Sequence, residues 1–267
     1  STIIWGNIIV DSGELTVINN ITSHYSGSDV LFNSSNITIN APITSSGTSA
    51  VTINSSGNVI DGINGSFVGK IISTNLLLTG NGNFNLDSTT NNVSIISAGS
   101  NASRLGSLNF TNSNALVVGS VGSNSGIYTT GTIAISTLTG DLSVSQNINT
   151  QNTSTTALIL NASQSTAAGV SSGGDLKFSG GASITIGANA RAKLYSGSIS
   201  GSTGLTAITG SGSNRFRYNS DESNSNYSLT LGTGIHAIYR ERPSLTIIAD
   251  DKTVTYGTCL LYTSDAA

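Results

Sequence analysis

One stretch of this 267-residue chain combines charges with aromatic rings. Residues 215–228 read RFRYNSDESNSNYS, whereas only 9% of the whole chain is charged. Arginine and aromatic residues are the usual anchors of binding sites. We therefore predict a binding patch, formed by Arg215, Arg217, Tyr218, Asp221, Glu222 and Tyr227. The alternative is that the arginines and carboxylates pair with one another and order a capping loop.

The carboxylates of residues 1–190 lack the pairing that polysaccharide cleavage requires. Glycoside hydrolysis uses two carboxyl groups about 5 to 10 Å apart, one as the acid and the other as base or nucleophile. Most of these acids instead adjoin glycine or serine, where turn formation explains them. They are Asp11, Glu14, Asp29, Asp61, Asp87, Asp141 and Asp175. Because folding could still gather distant acids, a β-helical polysaccharide lyase or hydrolase stays open as an alternative function.

Other chemical motifs are missing from the sequence. Neither His24 nor His236 has further ligands at the spacing of a metal site, and the apolar neighbours of His236 favour a packed strand residue. The serines lack a G-x-S-x-G context, and the glycines of residues 172–183 lack the G-x-x-x-x-G-K phosphate pattern. We therefore predict no catalytic residue, no metal and no cofactor, and we expect that the chain is not an enzyme.

The elements that would position these residues are short strands. Apolar residues recur as i, i+2 pairs, which place both side chains on one face of a strand. Glycine, asparagine, serine and aspartate lie between the pairs, as turns require. The pairs are Val51/Ile53, Leu76/Leu78, Phe84/Leu86, Val93/Ile95, Leu108/Phe110, Ile133/Ile135, Leu142/Val144, Leu158/Leu160, Leu176/Phe178 and Ile184/Ile186.

The strands repeat at an approximate spacing, close to the length of one solenoid coil, and the repeat is too irregular to fix the coil boundaries. When residues 14–23 are set over residues 36–45, Leu15 falls on Ile37, Val17 on Ile39 and Ile21 on Ile43. A sandwich or barrel could also use short strands. Three features favour a parallel β-solenoid instead. They are the period, the neutral outward positions, and the scarcity of hairpin signals other than Asn-Gly at 64–65 and 81–82. Charges stacked at about 4.8 Å would repel one another, whereas Asn, Ser and Thr can form ladders.

The composition changes near residue 190 and suggests four segments. Residues 1–190 hold three Lys or Arg and would form a β-helix shaft of about eight coils. Residues 191–258 hold seven, and we interpret residues 191–243 as a capping and transition region with a linker at Arg242-Pro243. Residues 244–258 alternate like the first hairpin of a truncated β-repeat module.

The last nine residues, CLLYTSDAA (259–267), resemble the conceptual translation of a sequencing adapter. We therefore leave them out of fold reasoning. The alternative is an ordinary strand end with a buried cysteine, Cys259. The chain contains no methionine to mark a translation start, so we expect a fragment of a longer protein.

The sequence LTIIADDKTVTYG (245–257) is similar to the opening of the MBG/YDG-type repeats of large bacterial surface proteins. Those repeats usually carry an acid or amide after Tyr-Gly, where this chain has Thr258. Residues 140–150 and 190–246 resemble the segment that joins a β-helix shaft to such repeats in filamentous-haemagglutinin-like exoproteins of Gram-negative bacteria. The resemblance implies a right-handed parallel β-helical fibre, exported through an outer-membrane two-partner secretion pore to the outside of the cell. The secretion domain that this route recognises is not visible here.

We therefore expect an adhesin shaft that projects binding modules and attaches cells to a host or matrix glycan or protein. The alternatives are the polysaccharide-degrading enzyme and a biofilm-matrix fibre without a specific receptor. A net charge of −3 gives no basis for nucleic-acid binding. No apolar run approaches the length that a transmembrane helix needs, so we expect no membrane-spanning segment.

Overall fold

The computed structural model describes residues 2–4, 7–23, 27, 29–64 and 67–248. These residues form a parallel β-solenoid of about nine turns, with about 3% helix. The prediction of an all-β parallel β-helix is therefore confirmed, and the right-handed sense of its winding stays a prediction. Residues 249–267, which include Cys259 and most of the expected β-repeat module, lie outside the described residues, as does His24.

The strands of the first half are β1 (Thr2–Ile4), β2 (Ile8–Val17), β3 (Ile21–Ser23), β4 (Val30–Ile39), β5 (Pro42–Ser45), β6 (Ala50–Ser55), β7 (Asn58–Asp61), β8 (Ile63–Asn64), β9 (Phe67–Val68), β10 (Lys70–Thr79), β11 (Asn83–Leu86), β12 (Asn92–Ala98) and β13 (Ser107–Asn112). The second half contains β14 (Leu116–Val118), β15 (Ser120–Val121), β16 (Asn124–Ser125), β17 (Ile127–Thr129), β18 (Ile133–Thr137), β19 (Leu142–Val144), β20 (Ile148–Thr150), β21 (Leu158–Asn161), β22 (Leu176–Phe178), β23 (Ile184–Thr185), β24 (Arg191–Ser196), β25 (Phe216–Arg217) and β26 (Gly234–Tyr239). One short helix, α1 (Leu205–Thr209), and a 3-10 turn (Ser213–Arg215) lie between β24 and β25.

One face of the solenoid stacks nine parallel strands in chain order. They are β2, β4, β7, β11, β13, β18, β21, β24 and β26. At about 4.8 Å per strand, this stack is roughly 40 Å long. Seven of the nine precede residue 190, and the last two lie within residues 191–243. The capping region that we defined from composition thus includes the last strands of the parallel sheet.

The predicted register is present in the first coils. Leu15 pairs with Ile37, Val17 with Ile39 and Ile21 with Ile43, each at the expected offset. Later coils are longer: the number of residues between paired positions is greater for Leu158/Ala192 than for Leu108/Ile133. The added residues form loops outside the stack, because the strands stay in parallel register.

The inward side chains form one continuous core along the axis. Phe84, Leu86, Leu108 and Phe110 are each no more than 1% exposed, and such burial stabilises the fold by about 1.5–3 kcal/mol per large apolar side chain. The i, i+2 pairs therefore predict most of the core. Ile184 and Ile186 are partly buried and pack against its edge.

The Val93/Ile95 pair is the exception, and its prediction was wrong at one position. Val93 and Ile96 are buried, whereas Ile95 faces outward. The reason is a corner: Ser94 and Ile95 are consecutive outward residues, where β12 bends from one face of the coil to the next. β10 has the same irregularity at Thr74-Asn75, between its pairing with β5 and with β6.

Two antiparallel hairpins, β8–β9 and β15–β16, project from the parallel coils. The first contains the Asn-Gly signal at 64–65, because Asn64 is the last residue of β8 and pairs with Phe67 of β9. The second Asn-Gly signal, at 81–82, instead marks a corner between coils, where the backbone N–H of Asn83 donates to the Gly57 carbonyl (2.8 Å). A Cβ at Gly82 would lie 2.2 Å from that carbonyl oxygen. Close stacking of coils therefore requires glycine at this corner.

The last coils are covered by α1 and the segment that follows it. Leu205 of α1 is 2% exposed and packs against the end of the core together with Ile208. Residues 241–248 have no regular secondary structure, and the rest of the expected hairpin lies beyond the described residues. Within the described part of the chain, no helix has the length and apolar character needed to cross a membrane.

Candidate functional site

The outer faces of the solenoid carry ladders of neutral polar side chains. The Asn54 amide donates to the Asn33 carbonyl oxygen (2.7 Å), and Asn109 donates in the same way to Asn85 (2.7 Å). Each bond joins equivalent positions in adjacent coils. A polar groove of about 430 Å³ runs beside the first of these ladders, across residues 11 to 81. The surface therefore offers stacked amides and hydroxyls at the spacing of the coils.

Carboxylates of the shaft also join one coil to the next. Asp29 accepts from the backbone N–H of Ala50 (2.8 Å), and Asp61 accepts from that of Ser88 (3.0 Å). Asp141 accepts from the backbone N–H of Asp175 (2.9 Å) and pairs with Lys177. These acids lie at the ends of strands, and their bonds hold two coils together, whereas from the sequence we expected them to close local turns.

The structure separates the six predicted binding residues into two groups and one residue, Tyr218, that belongs to neither. Arg215 and Arg217 belong to the first, and both bind backbone carbonyls. Arg217 donates from Nη1 to the carbonyl of Phe216 (2.9 Å) and from Nη2 to that of Leu229 (3.3 Å), while its guanidinium carbon lies 5.2 Å from the centre of the Tyr227 ring. Arg215 donates from Nη1 to the Thr233 carbonyl (2.9 Å).

Asp221 and Glu222 form the second group and order a different loop. Asp221 accepts from the backbone N–H groups of Ala168 and Ser223, each at 2.7 Å. Glu222 accepts from the Ser165 N–H (2.6 Å) and from the Asn161 amide (3.2 Å). These bonds order the loop, but the pairing of arginines with carboxylates that the alternative interpretation expected is not found among the described residues, because both kinds of side chain bind backbone groups instead.

The pKa of Asp221 reflects these bonds. Burial alone would raise it, but the backbone N–H donors of Asn224, Ala168 and Ser223 outweigh the burial and lower it. The ionised form is thus the one that the loop stabilises.

Tyr218 lies apart from both groups. Its ring stacks on Tyr239 with centroids 5.6 Å apart, and Phe216 packs on the same ring at 6.5 Å. Tyr218 is 39% exposed and covers the edge of this stack.

The two arginines line a cavity of about 600 Å³ at the end of the solenoid, which we call the cap cavity. Its lining residues are Ser211, Gly212, Asn214, Arg215, Arg217, Leu229, Thr230, Gly232, Thr233 and His236. Arg191 fixes the loop on one side of it by donating from Nε to the Gly232 carbonyl (2.7 Å) and from Nη2 to the Leu231 carbonyl. Backbone carbonyls of residues 229–233 are therefore held by three arginines.

His236 is a lining residue that the sequence did not reveal. It is 3% exposed on β26, as expected for a packed strand residue. Burial, the main cause, lowers its pKa, so the imidazole is neutral near pH 7. Its Nε2 lies 3.2 Å from the Gly232 carbonyl, whereas Nδ1 has no hydrogen-bond partner among the described residues. No sequence signal distinguishes this strand histidine from one that packs only against apolar groups.

Arg240 is the largest fully buried side chain of the described residues. It donates from Nη2 to the Gly174 carbonyl (2.8 Å), while Nε and Nη1 have no partner there. Burial lowers its pKa, and the neighbouring carboxylates of Glu222, Asp175 and Asp221 act in the opposite direction. The sequence does not predict that Arg240 is buried, because the residue lies next to the Arg242-Pro243 segment that we interpreted as a linker.

Comparison of the chain with protein-family models, curated proteins and solved structures gives no match. Among the described residues, no group of three or more His, Cys, Asp or Glu side chains gathers that could hold a metal ion.

Proposed function

We propose that this protein is part of a secreted bacterial surface adhesin, in which the β-solenoid is a rigid shaft that projects binding modules from the cell. The proposal rests chiefly on how its polar and acidic side chains are used. Asn33, Asn54, Asn85 and Asn109 bond to their counterparts in adjacent coils, and Asp29 and Asp61 bind the backbone of the next coil. These side chains thereby tie successive coils of the stack to one another.

A shaft gains from such a design. Each coil contacts its neighbours only, so length can be added without a larger core. Neutral ladders avoid the repulsion that stacked like charges would cause. The resemblance of residues 190–246 and 245–257 to shaft-end segments and MBG-type repeats supplies the adhesin part of the proposal. The same resemblance implies an outer-membrane transporter pore as the partner during export, and a location on the outer surface of a Gram-negative bacterium.

The proposal is tested by removing the solenoid from the gene in the source bacterium. An in-frame deletion of residues 8–239 should sharply reduce attachment of cells to host cells or matrix, while surface display, measured by antibody, persists. A matched strain that carries the surface substitution Asn109→Ala should attach like the wild type. Unchanged attachment of the deletion strain would overturn the proposal.

The two other functions give different results in the same strains. A matrix fibre predicts loss of cell–cell cohesion in biofilms with attachment to host surfaces intact. An enzyme predicts that the purified chain releases new reducing ends or unsaturated sugars from acidic or neutral polysaccharides. Either result would replace the adhesin proposal.

A further inference from the structure

We propose that a groove on the outer face of the nine-strand stack, which we call the sheet groove, binds a short oligosaccharide that carries no acidic groups. The groove has a volume of about 440 Å³, and its lining includes Asp87, Thr111, Ala134, Ser136, Ile159 and Glu222. The site goes beyond the proposed shaft, which only projects binding modules, and it does not depend on that function.

The groove forms where a polar ladder on this face ends. Asn109 donates to Asn85 in the preceding coil (2.7 Å). Its counterpart in the following coil is Ala134, and the next one is Ile159. An alanine cannot continue a ladder of amides, and its small side chain leaves space above the strands. The sequence thus replaces the ladder by a depression at this point of the shaft.

A carboxylate lies near each end of the groove. Asp87 directly follows β11. Glu222 reaches β21 from the capping loop, where it accepts from the Asn161 amide (3.2 Å) and from the Ser165 N–H (2.6 Å). β11 and β21 are separated by three strand-to-strand steps, through β13 and β18, or roughly 14 Å. The groove is therefore long enough for an extended ligand that crosses several coils.

The floor of the groove offers hydroxyl groups that the protein does not use. Thr111 is 7% exposed on β13, yet its Oγ1 has no hydrogen-bond partner among the described residues. This oxygen is not one of the unpaired atoms that are shut off from solvent, so it opens into the groove. Ser136, its counterpart in the next coil, likewise makes no side-chain hydrogen bond within the described part of the chain. Both hydroxyls can donate to a ligand and accept from it.

The charges of the groove favour a ligand without acidic groups. Asp87 and Glu222 are both exposed, and no Lys or Arg is among the described lining residues. The nearby Arg240 is fully buried and does not line the groove. Carboxylates accept hydrogen bonds from hydroxyl groups but repel other anions. The groove should therefore select hydroxyl-rich ligands and reject acidic ones.

The sheet beneath the groove favours a sugar over a peptide. β13 pairs with β11 and β18, and β18 pairs with β13 and β21. Because both edges of these strands are occupied, an extended peptide cannot add to the sheet through its backbone. Recognition must come from side chains, which here combine hydroxyls with the partly exposed apolar surface of Ala134 and Ile159. A sugar ring presents hydroxyl groups and apolar C–H groups together, so it matches both.

The experiment is a titration of the purified full chain, followed by calorimetry or NMR. Cellotetraose, maltotetraose and mannotetraose are the neutral probes, and tetragalacturonate is the acidic probe of equal length. We expect saturable binding of at least one neutral probe, with tetragalacturonate weaker by about tenfold or more, the factor of one charge-assisted hydrogen bond. Asp87→Asn keeps the shape of the side chain and removes a charge, so it should reduce this preference by about threefold.

Two substitutions test the floor of the groove. Ala134→Leu fills its centre and should weaken binding of the neutral probe by about tenfold or more. Thr111→Val removes the hydroxyl at nearly constant shape and should weaken it by about two- to tenfold. Ala50→Leu is the matched control, because Ala50 is also an outward alanine, on β6 and outside the groove, and it should bind like the wild type.

Circular dichroism would verify that all variants fold. The inference is overturned if the folded wild type binds none of the neutral probes, if tetragalacturonate binds as tightly, or if Ala134→Leu binds no more weakly than Ala50→Leu. Attachment of cells can succeed or fail independently of each of these results.

Discussion

Asp61 and Asn91 form a hydrogen bond between neighbouring coils, with 3.0 Å between Oδ2 of the acid and Nδ2 of the amide. Asn91 is fully buried and also accepts from the backbone N–H of Ile71 (2.7 Å) and donates to the Leu86 carbonyl (3.2 Å). One amide thus connects three segments, and the acid beside it is partly removed from water. Burial, as the largest effect, raises the pKa of Asp61 to about 6, although the bonds from Asn91 and Ser88 oppose the rise.

The first prediction follows from this pKa. The usual value is 3.8, so the folded protein holds the proton more tightly than the unfolded chain. Proton binding by Asp61 therefore adds to the free energy of unfolding. This contribution is complete below about pH 4 and is lost as the pH rises through about 6. We compare the free energy of unfolding of the wild type with that of Asp61→Asn at each pH. The difference, wild type minus variant, should be larger by about 1–2 kcal/mol at low pH than at neutral pH, once solvent screening is allowed for.

Denaturant unfolding of both proteins at several pH values checks this. The buried His236 has a lowered pKa and acts in the opposite direction in the same range, but it is present in both proteins and cancels in the difference. A difference that does not change with pH would contradict the prediction.

The second prediction concerns the alternation of strand β13. Phe110 is fully buried in the core, whereas Asn109 faces outward and donates to Asn85. Phe110→Ala should lower the free energy of unfolding by about 3–5 kcal/mol, and Asn109→Ala by less than about 1 kcal/mol. Similar losses for the two variants in thermal or urea unfolding would mean that the inward and outward faces are assigned incorrectly.

The third prediction tests how closely the coils stack. A methyl group at Gly82 would meet the Gly57 carbonyl oxygen at 2.2 Å, whereas one at Gly13 would meet nothing within 4 Å. Gly82→Ala should therefore destabilise the protein by about 1–3 kcal/mol, and Gly13→Ala should be close to neutral. Melting temperatures of the two variants provide the comparison, and equal values would contradict the stacking.

The fourth prediction concerns the capping loop. Asp221→Ala removes the acceptor for the backbone N–H groups of Ala168 and Ser223, so hydrogen exchange at these amides should accelerate by about tenfold or more while the strands of the core stay protected. Glu14→Ala, which removes an exposed carboxylate at the other end of the solenoid, is the control for net charge. Unchanged exchange at Ala168 in the Asp221 variant would show that the loop is ordered by other contacts.

The sequence predicts the stacked strands well because their pattern is local. Leu15, Val17 and Ile21 find the partners that the repeat offset assigns, and the i, i+2 pairs place most of the core. The failure at Ile95 has a physical cause: a corner inserts a second outward residue and shifts the alternation, and no turn residue marks it.

Loop lengths between later coils are equally invisible in the sequence. Leu158 and Ala192 pair in the same parallel manner as Leu15 and Ile37, although they lie further apart along the chain. A loop that leaves the stack and returns to it does not change which side chains of the two strands face each other. The alternation of apolar and polar residues within a strand therefore does not show how long the following loop is.

The site was predicted only in part. Composition drew attention to Arg215 and Arg217, because charge is rare in this chain. It could not separate them from Asp221 and Glu222, since the two groups are neighbours in sequence but bind different loops. His236 joins the arginines only through the pairing of β24, β25 and β26, which brings together residues far apart in the chain.

The most direct test of the adhesin proposal is long-read sequencing of the source DNA across both ends of the segment that encodes this chain. We predict that the frame continues past Thr258 into repeated Tyr-Gly modules, and that upstream it reaches a secretion domain beside a transporter gene. A frame that encodes Cys259 and stops after Ala267, with no such modules, would contradict the proposal.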